Sequence, residues 1–363
     1  MSVESIKTYT VSLSAAQTSN SVTMDGQTTA NCIPIITNRV TTPNGAEFAE
    51  YRVKATFDTG DLVITRGEAV TAALTCVVSV WEFDGVGVVV DTGTFEMLDL
   101  GSEVIDVVTA GVTAGLTDTF LVSQFSGTGI GVFFDRSSVR GRITATDTLT
   151  FDRENGNGDI SGVWYTARAT AGFFTVQQAE IAIATGATAT VALDSAGVSP
   201  SKTFLVGSHA QGSGDDNADS TYDITLTQTT NPGDTVTLTR ATSSASLGWW
   251  GGSVVTLTGS ETVYHGTIDP TDGDDIVTIT GSPTVSDNSV VFTCGCSGGQ
   301  SHGAFTGSDA ADVPASQVTW EIVTANTQVQ CLHYTGDVGA VTYNVVDFDL
   351  GAPPATRRIW VIS

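Results

Sequence analysis

Asp234-Thr-Val-Thr-Leu-Thr-Arg240 is one of three versions of the same phrase: Asp61-Leu-Val-Ile-Thr-Arg66 and Asp147-Thr-Leu-Thr-Phe-Asp-Arg153 come before it. Each opens on an acid, alternates polar and apolar residues, and closes on an arginine ahead of a turn. Alternation with a period of two is the pattern of a strand with one face buried. The arginine numbers 66, 153 and 240 differ by 87 at each step, in a chain with only 14 lysines and arginines together. A fixed spacing of this length marks tandem structural repeats.

Other phrases keep the same rhythm. Thr119-Phe-Leu-Val-Ser123 and Thr203-Phe-Leu-Val-Gly207 precede the second and third arginines, and Cys32-Ile-Pro-Ile-Ile-Thr37 holds that place in the first copy. After each arginine comes a turn and a β-rich run: Val77-Val-Ser-Val-Trp-Glu-Phe83, Val163-Trp-Tyr-Thr-Ala-Arg168 and Ser253-Val-Val-Thr-Leu257. A fourth copy is divergent. It reads Ser289-Val-Val-Phe-Thr293, Val329-Gln-Cys-Leu-His-Tyr334 and Tyr343-Asn-Val-Val-Asp-Phe348, with no arginine in the arginine strand. The expectation is an all-β chain of four tandem antiparallel β-sandwich modules with a period of about 87 residues. Their expected spans are 1–98, 99–185, 186–271 and, for the divergent copy, 272–363, with joints near Leu98, Gly186 and Asp272. Thr175-Val-Gln-Gln-Ala-Glu-Ile-Ala-Ile183 is rich in helix formers. The strand-like Val88–Phe95 and Glu261–Ile268 occupy the same module position, so it is expected to be a strand, the last of its module.

Composition agrees with many short strands joined by turns: 39 glycines, 15% charged residues and abundant Val, Thr and Ser. The net charge is −25, from 39 acids against 14 bases. Such a surface repels phosphate backbones and anionic membranes, which disfavours nucleic-acid binding and leaves a solvated, self-repelling coat. Met1-Ser-Val-Glu-Ser-Ile-Lys7 lacks a basic start followed by an apolar core, and no run reaches 18 apolar residues. The expectation is a protein made in a cytoplasm, with no membrane insertion.

Chemistry-bearing residues are sparse. The five cysteines, Cys32, Cys76, Cys294, Cys296 and Cys331, form no recognisable disulfide or zinc framework, and free thiols, a bridge or a metal at Cys294-Gly-Cys296 all remain open. Ser208 and His209 are neighbours without a nucleophile elbow, and no phosphate loop, dinucleotide fingerprint or His-Glu-x-x-His occurs. No catalytic residue and no metal ligand is therefore assigned, no cofactor is expected, and the chain is not expected to be an enzyme. Asp269–Asp275 and Gly214–Asp219 gather oxygen ligands that suit structural calcium, or are simply solvated acidic turns.

Two sets of residues are singled out. In Arg66, Arg153 and Arg240 the side chain shares a face with apolar neighbours such as Leu62 and Ile64, so the stem covers the core edge while the fork binds turn carbonyls or an acid. In Trp249-Trp250 consecutive strand residues point opposite ways, one indole to the core and one outward. The outward ring could contact a partner or neighbouring subunit, or stack on a sugar.

Thr203-Phe-Leu-Val206, Thr237-Leu-Thr-Arg240, Val80-Trp-Glu-Phe83 and Val345-Val-Asp-Phe348 resemble repeats in structural proteins of tailed bacteriophages. The resemblance spans most of the chain. It implies a non-enzymatic virion component made in the host cytoplasm and released by lysis. Expected partners are other virion proteins, copies of itself and a host surface glycan or receptor. A tail- or neck-associated fibre or adhesion protein is the first expectation, with the glycine-rich stretches 207–217 and 294–307 as host-contact sites. A capsid decoration protein and a bacterial surface adhesin are the alternatives.

Overall fold

Leu62, Ile64 and Arg66 are 0%, 0% and 1% exposed, while Asp61, Val63 and Thr65 between them are half-buried. The alternation read in the sequence is thus a strand with one side on a core. The computed structural model describes residues 3–350 apart from 42–51, 70–72, 99–100, 102, 110–115, 130–137, 154–155, 157, 184–185, 194–197, 212–221, 228–233, 245–247, 269–273, 279–287, 298–317, 325–327, 334–339 and 349. The protein is all-β. Among the described residues there is no α-helix, only 3-10 turns at Thr29–Asn31 and Pro200–Lys202.

The strands of the described residues fall into four sets of six. The first holds β1 (Val3–Leu13), β2 (Ser19–Thr23), β3 (Cys32–Val40), β4 (Val53–Asp58), β5 (Asp61–Arg66) and β6 (Leu74–Phe83). The second holds β7 (Val88–Met97), β8 (Glu103–Val108), β9 (Thr119–Thr128), β10 (Arg140–Ala145), β11 (Thr148–Arg153) and β12 (Asp159–Ala169). The third holds β13 (Phe174–Ile183), β14 (Gly186–Ala192), β15 (Thr203–Gln211), β16 (Tyr222–Thr227), β17 (Thr235–Ser244) and β18 (Gly248–Leu257). The last holds β19 (Thr262–Ile268), β20 (Asp274–Thr278), β21 (Ser289–Ser297), β22 (Val318–Thr324), β23 (Gln328–His333) and β24 (Ala340–Asp347).

Sheet order repeats from set to set. The first, sixth and third strands form one antiparallel sheet: β1-β6-β3, β7-β12-β9, β13-β18-β15 and β19-β24-β21. The second, fifth and fourth form another: β2-β5-β4, β8-β11-β10, β14-β17-β16 and β20-β23-β22. A pairing of Asp223 with Gly295 joins β16 to β21 and merges two of these sheets. Apolar side chains fill the space between facing sheets, as in a sandwich. In the first set these include Leu13, Ala55, Leu62, Ile64 and Val78; in the second Phe95, Leu121, Leu149, Phe151 and Trp164; in the third Ile181, Leu205, Leu238, Trp250 and Val254.

A further apolar cluster draws on all four sets. Ile33 and Trp81, Phe120 and Tyr165, Phe204 and Val255, and Val290 and Phe348 all belong to it. Trp81 lies at its centre, edge-on to Phe120, Phe204 and Phe348 with ring centroids 6.4, 6.1 and 5.1 Å away. This explains the unbroken apolar run Thr-Phe-Leu-Val. Phe120 and Val122 face the shared cluster and Leu121 faces its own sandwich, and Phe204, Val206 and Leu205 divide in the same way. A strand buried on both faces has no polar side to show.

The sets also meet edge to edge. β4 packs on β9, β10 on β15, β16 on β21, and β22 returns to β3, so the fourth strand of every set lies against the third strand of another. An uncovered sheet edge offers unpaired backbone groups to any passing strand. Here these edges are covered from within the chain.

One expectation needs correction. Val88–Phe95, Thr175–Ile183 and Glu261–Ile268 are strands, but they do not close the copies that precede them. β7 pairs with β12, β13 with β18 and β19 with β24. Each opens the set that follows, so joints near Leu98, Gly186 and Asp272 would cut these strands from their partners. Pairing with a strand some 70 residues downstream leaves no trace in local pattern.

Replacing Trp81 with Ala removes the ring that touches three other sets, and should lower stability by ~3–5 kcal/mol. Urea denaturation followed by far-UV circular dichroism measures it. A loss below about 1 kcal/mol would show that the shared cluster does not depend on this ring.

Candidate functional site

The first two repeating arginines lie inside. Arg66 is 1% exposed and Arg153 2%. Arg66 donates from Nε to Gln17 O at 2.6 Å and from Nη2 to Ser14 O at 2.8 Å, tying the turn between β1 and β2 to the end of β5. Arg153 donates from Nη1 to Gly158 O at 2.8 Å and from Nη2 to Leu98 O, and lies 3.6 Å from Glu103 Oε2. Arg240 takes the same register position, opposite Tyr222. In the last set His333, opposite Val318, stands where the others have arginine. Arg66 and Arg153 organise turns and present no charge to solvent.

Between the first two sets, the edge of β4 is satisfied by side chains of the second. Ala55 N–H donates to Gln124 Oε1 at 2.8 Å, and Tyr165 Oη donates to Ala55 O at 2.9 Å. Gln124 Nε2 reaches Pro34 O at 2.6 Å, and Arg52 lies 5.3 Å over the ring of Phe125. The next joint repeats the arrangement. Gly141 corresponds to Ala55 and Ser208 to Gln124, and Gly141 N–H donates to Ser208 Oγ at 2.8 Å. The hydroxyl beside His209 is thus a joint between strands.

An ion network, largely buried at Asp152 and open to solvent at Glu180, completes this second joint. Arg140 binds Asp152 through two bonds of 2.9 and 2.7 Å, and Arg142 reaches the same carboxylate at 2.6 Å and Glu180 of the third set at 2.6 Å. Arg142 lies so close along β18 that a Cβ on Gly251 would sit 2.6 Å from its Cγ. The side chains of Arg140 and Asp152 are 11% and 13% exposed, so each is largely desolvated and depends on the other.

The tryptophan pair divides as strand geometry requires. Trp250 is 3% exposed in the core of its own sandwich. Trp249 is half-buried and meets Arg140, whose guanidinium carbon is 6.0 Å from the ring centre. Its contact is with the preceding set of the same chain.

Strand register then relates the two joints residue by residue. Ser161 pairs with Ser126 and Glu96, and Trp249 pairs with Ala210 and Ala182, so Ser161 and Trp249 hold the same position. Lys54 and Arg140 likewise correspond, opposite Thr65 and Asp152. Where the later joint has Arg140 over an indole, the earlier one has Lys54 donating to Ser161 Oγ at 2.7 Å. A cleft of about 330 Å³ opens beside that bond. Lys54, Glu96, Ser161, Asp159 and Met97 are among its lining residues. At its edge the chains touch: a Cβ on Gly67 would lie 1.9 Å from Gly127 O. Burial lowers the Lys54 ammonium below its ordinary value, and the Glu96 carboxylate acts against that shift. Sequence inspection passed over Lys54 and Arg140. Their signal is a basic residue 12 or 13 places before the repeating arginine, blurred by the bulge between Ile143 and Ala145.

Cys32 and Cys76 are free, buried thiols, and Cys331 is buried. Burial pushes both Cys32 and Cys76 up to about 12, with Glu82 adding to the rise at Cys32. Cys294 and Cys296 lie in β21, but their side chains are outside the described residues. The acidic loop 214–219 and most of 269–275 fall outside them too, as do 212–217 and 298–307 of the glycine-rich stretches; 207–211 and 294–297 are strand. Among the described residues no helix is long and apolar enough to cross a membrane, and no group of three His, Cys, Asp or Glu side chains is placed to hold a metal. In comparisons with known proteins, no family model matches the chain and no curated protein matches it.

Two outcomes are expected. Asp152→Ala leaves Arg140 and Arg142 desolvated beside a lost partner and should cost ~3 kcal/mol or more, read from thermal or urea unfolding. At pH 8 almost no thiolate forms at Cys32 or Cys76, so iodoacetamide should leave both unlabelled in native protein and label them in denaturant, as peptide mass spectrometry would report.

Proposed function

We propose that the chain is a non-enzymatic structural component of a tailed-phage virion, built from four sandwich units that run about 3–83, 88–169, 174–257 and 262–347. On this reading the 87-residue spacing of the arginines is the length of one unit and its connection. The observation that carries the proposal is the recurrence of one six-strand sheet order with the edges of its third and fourth strands covered inside the chain. Duplicating a unit and packing the copies on one another enlarges a rigid body without adding reactive groups. The strongly acidic surface suits a protein displayed at high copy number, where self-repulsion keeps assembled and free forms soluble.

Within that reading, the packing favours a head-decorating knob over a tail or neck fibre. Modules strung along a fibre touch only their neighbours in sequence. Here β22 of the last set packs on β3 of the first, and side chains of all four sets share one cluster. A body folded back on itself adds bulk to a surface and little length to a tail.

Electron microscopy of particles carrying a tag at Ser363 tests the proposal. Label distributed over the head supports decoration, and label at the tail or neck restores the fibre reading. Absence of the chain from any particle rejects the virion role.

A further inference from the structure

We infer that the cleft between the first and second sets binds a planar aromatic group of about indole size, under the ammonium of Lys54. The argument rests on the internal repeat. At the joint between the second and third sets the corresponding position carries Trp249, with Arg140 over its ring at 6.0 Å. At the first joint the framework is the same. The fourth strand lies against the third, Ala55 N–H is held by Gln124 as Gly141 N–H is held by Ser208, and Lys54 stands in register with Arg140. The ring is missing, and Thr56 and Thr65 stand where the second joint has Arg142 and Asp152. Ser161 replaces the ring, and about 330 Å³ is left open, near the lower end of the range of small-ligand pockets.

The lining fits an aromatic guest. Leu98, more than half exposed, offers apolar surface, and Lys54 offers a cation, already partly desolvated and so favourable over a π face; Met97 and Ile160 back the cleft from the core of the second set. Ser161 and Glu96 can accept a ring N–H. Anionic ligands are disfavoured by Glu96 and Asp159 on the walls. The ring could belong to the side chain of a partner protein or to a free small molecule; the chemistry recognised is the same.

The test uses the full chain with N-acetyltryptophanamide and with indole as probes, and N-acetylleucinamide as the apolar control, followed by ligand-observed saturation-transfer NMR. Saturable binding of the aromatic probes in the millimolar range or tighter is expected, with none for the leucine amide. Ser161→Trp should fill the cleft with the protein's own indole, as Trp249 fills its counterpart, and weaken probe binding at least tenfold. Tighter binding of the amide than of indole would point to a peptide-borne ring, and equal or weaker binding to a free aromatic molecule. Lys54→Met keeps the stem and removes the charge, and should weaken binding several-fold; it carries the test if Ser161→Trp does not fold. Absence of saturable binding to the unaltered protein, or equal binding to folded Ser161→Trp, would overturn the inference.

Discussion

The structure depends on one aromatic core shared by parts of the chain that are far apart in sequence. A six-strand sandwich of some 80 residues has two sheets and room for only one thin layer of side chains between them, and a domain that small buries too little apolar surface to be more than marginal. Each sheet of the β1-β6-β3 kind solves this by turning its outer face inward as well. Trp81, Phe120, Phe204 and Phe348 then bury surface that each set alone would expose to water. At roughly 25 cal/mol per Å² of apolar area, and 150–250 Å² for each aromatic ring, four such rings are a large contribution beside a net folding stability of about 5–15 kcal/mol.

Around that core the joints are polar, and they differ in a way that separates support from opportunity. Covering β4 and β10 requires donors and acceptors for the backbone groups on their free edges, and Gln124, Tyr165 and Ser208 supply them. Beyond this common requirement the joints vary. The second is closed by Arg140, Arg142, Asp152, Glu180 and Trp249; the first, with Lys54 and Ser161, is left with a cleft. The same strand packing frames both joints, and the side chains that the frame does not dictate are those available for another use.

Much of this was legible in the sequence, and what was not had a physical reason. The strands at 61–66, 148–153 and 235–240 are visible because polar and apolar residues alternate along each, although in 148–153 Thr150 and Asp152 on the polar face are buried as well. Thr175–Ile183 was correctly read as strand against its helical propensity, since its neighbours in packing override local preference. Val88–Phe95 reads as a strand, but its pairing partner cannot be read from the sequence. Only four residues separate it from β6, whereas the strand it pairs with, β12, begins at Asp159. The correspondence of Ser161 with Trp249 was out of reach for a similar reason: it rests on register against two neighbouring strands and not on spacing along the chain. The shared core itself left a hint in Thr-Phe-Leu-Val, apolar on consecutive residues, which signals burial on both faces without naming the partner.

The central claim is that the four sets are one cooperative body closed on a common core. Differential scanning calorimetry of the whole chain tests it most directly, because the ratio of calorimetric to van't Hoff enthalpy counts independent unfolding units. A single transition with a ratio near one is expected from a shared core. Several transitions, or a ratio approaching four, would mean that the sets melt as separate beads, and would contradict the account.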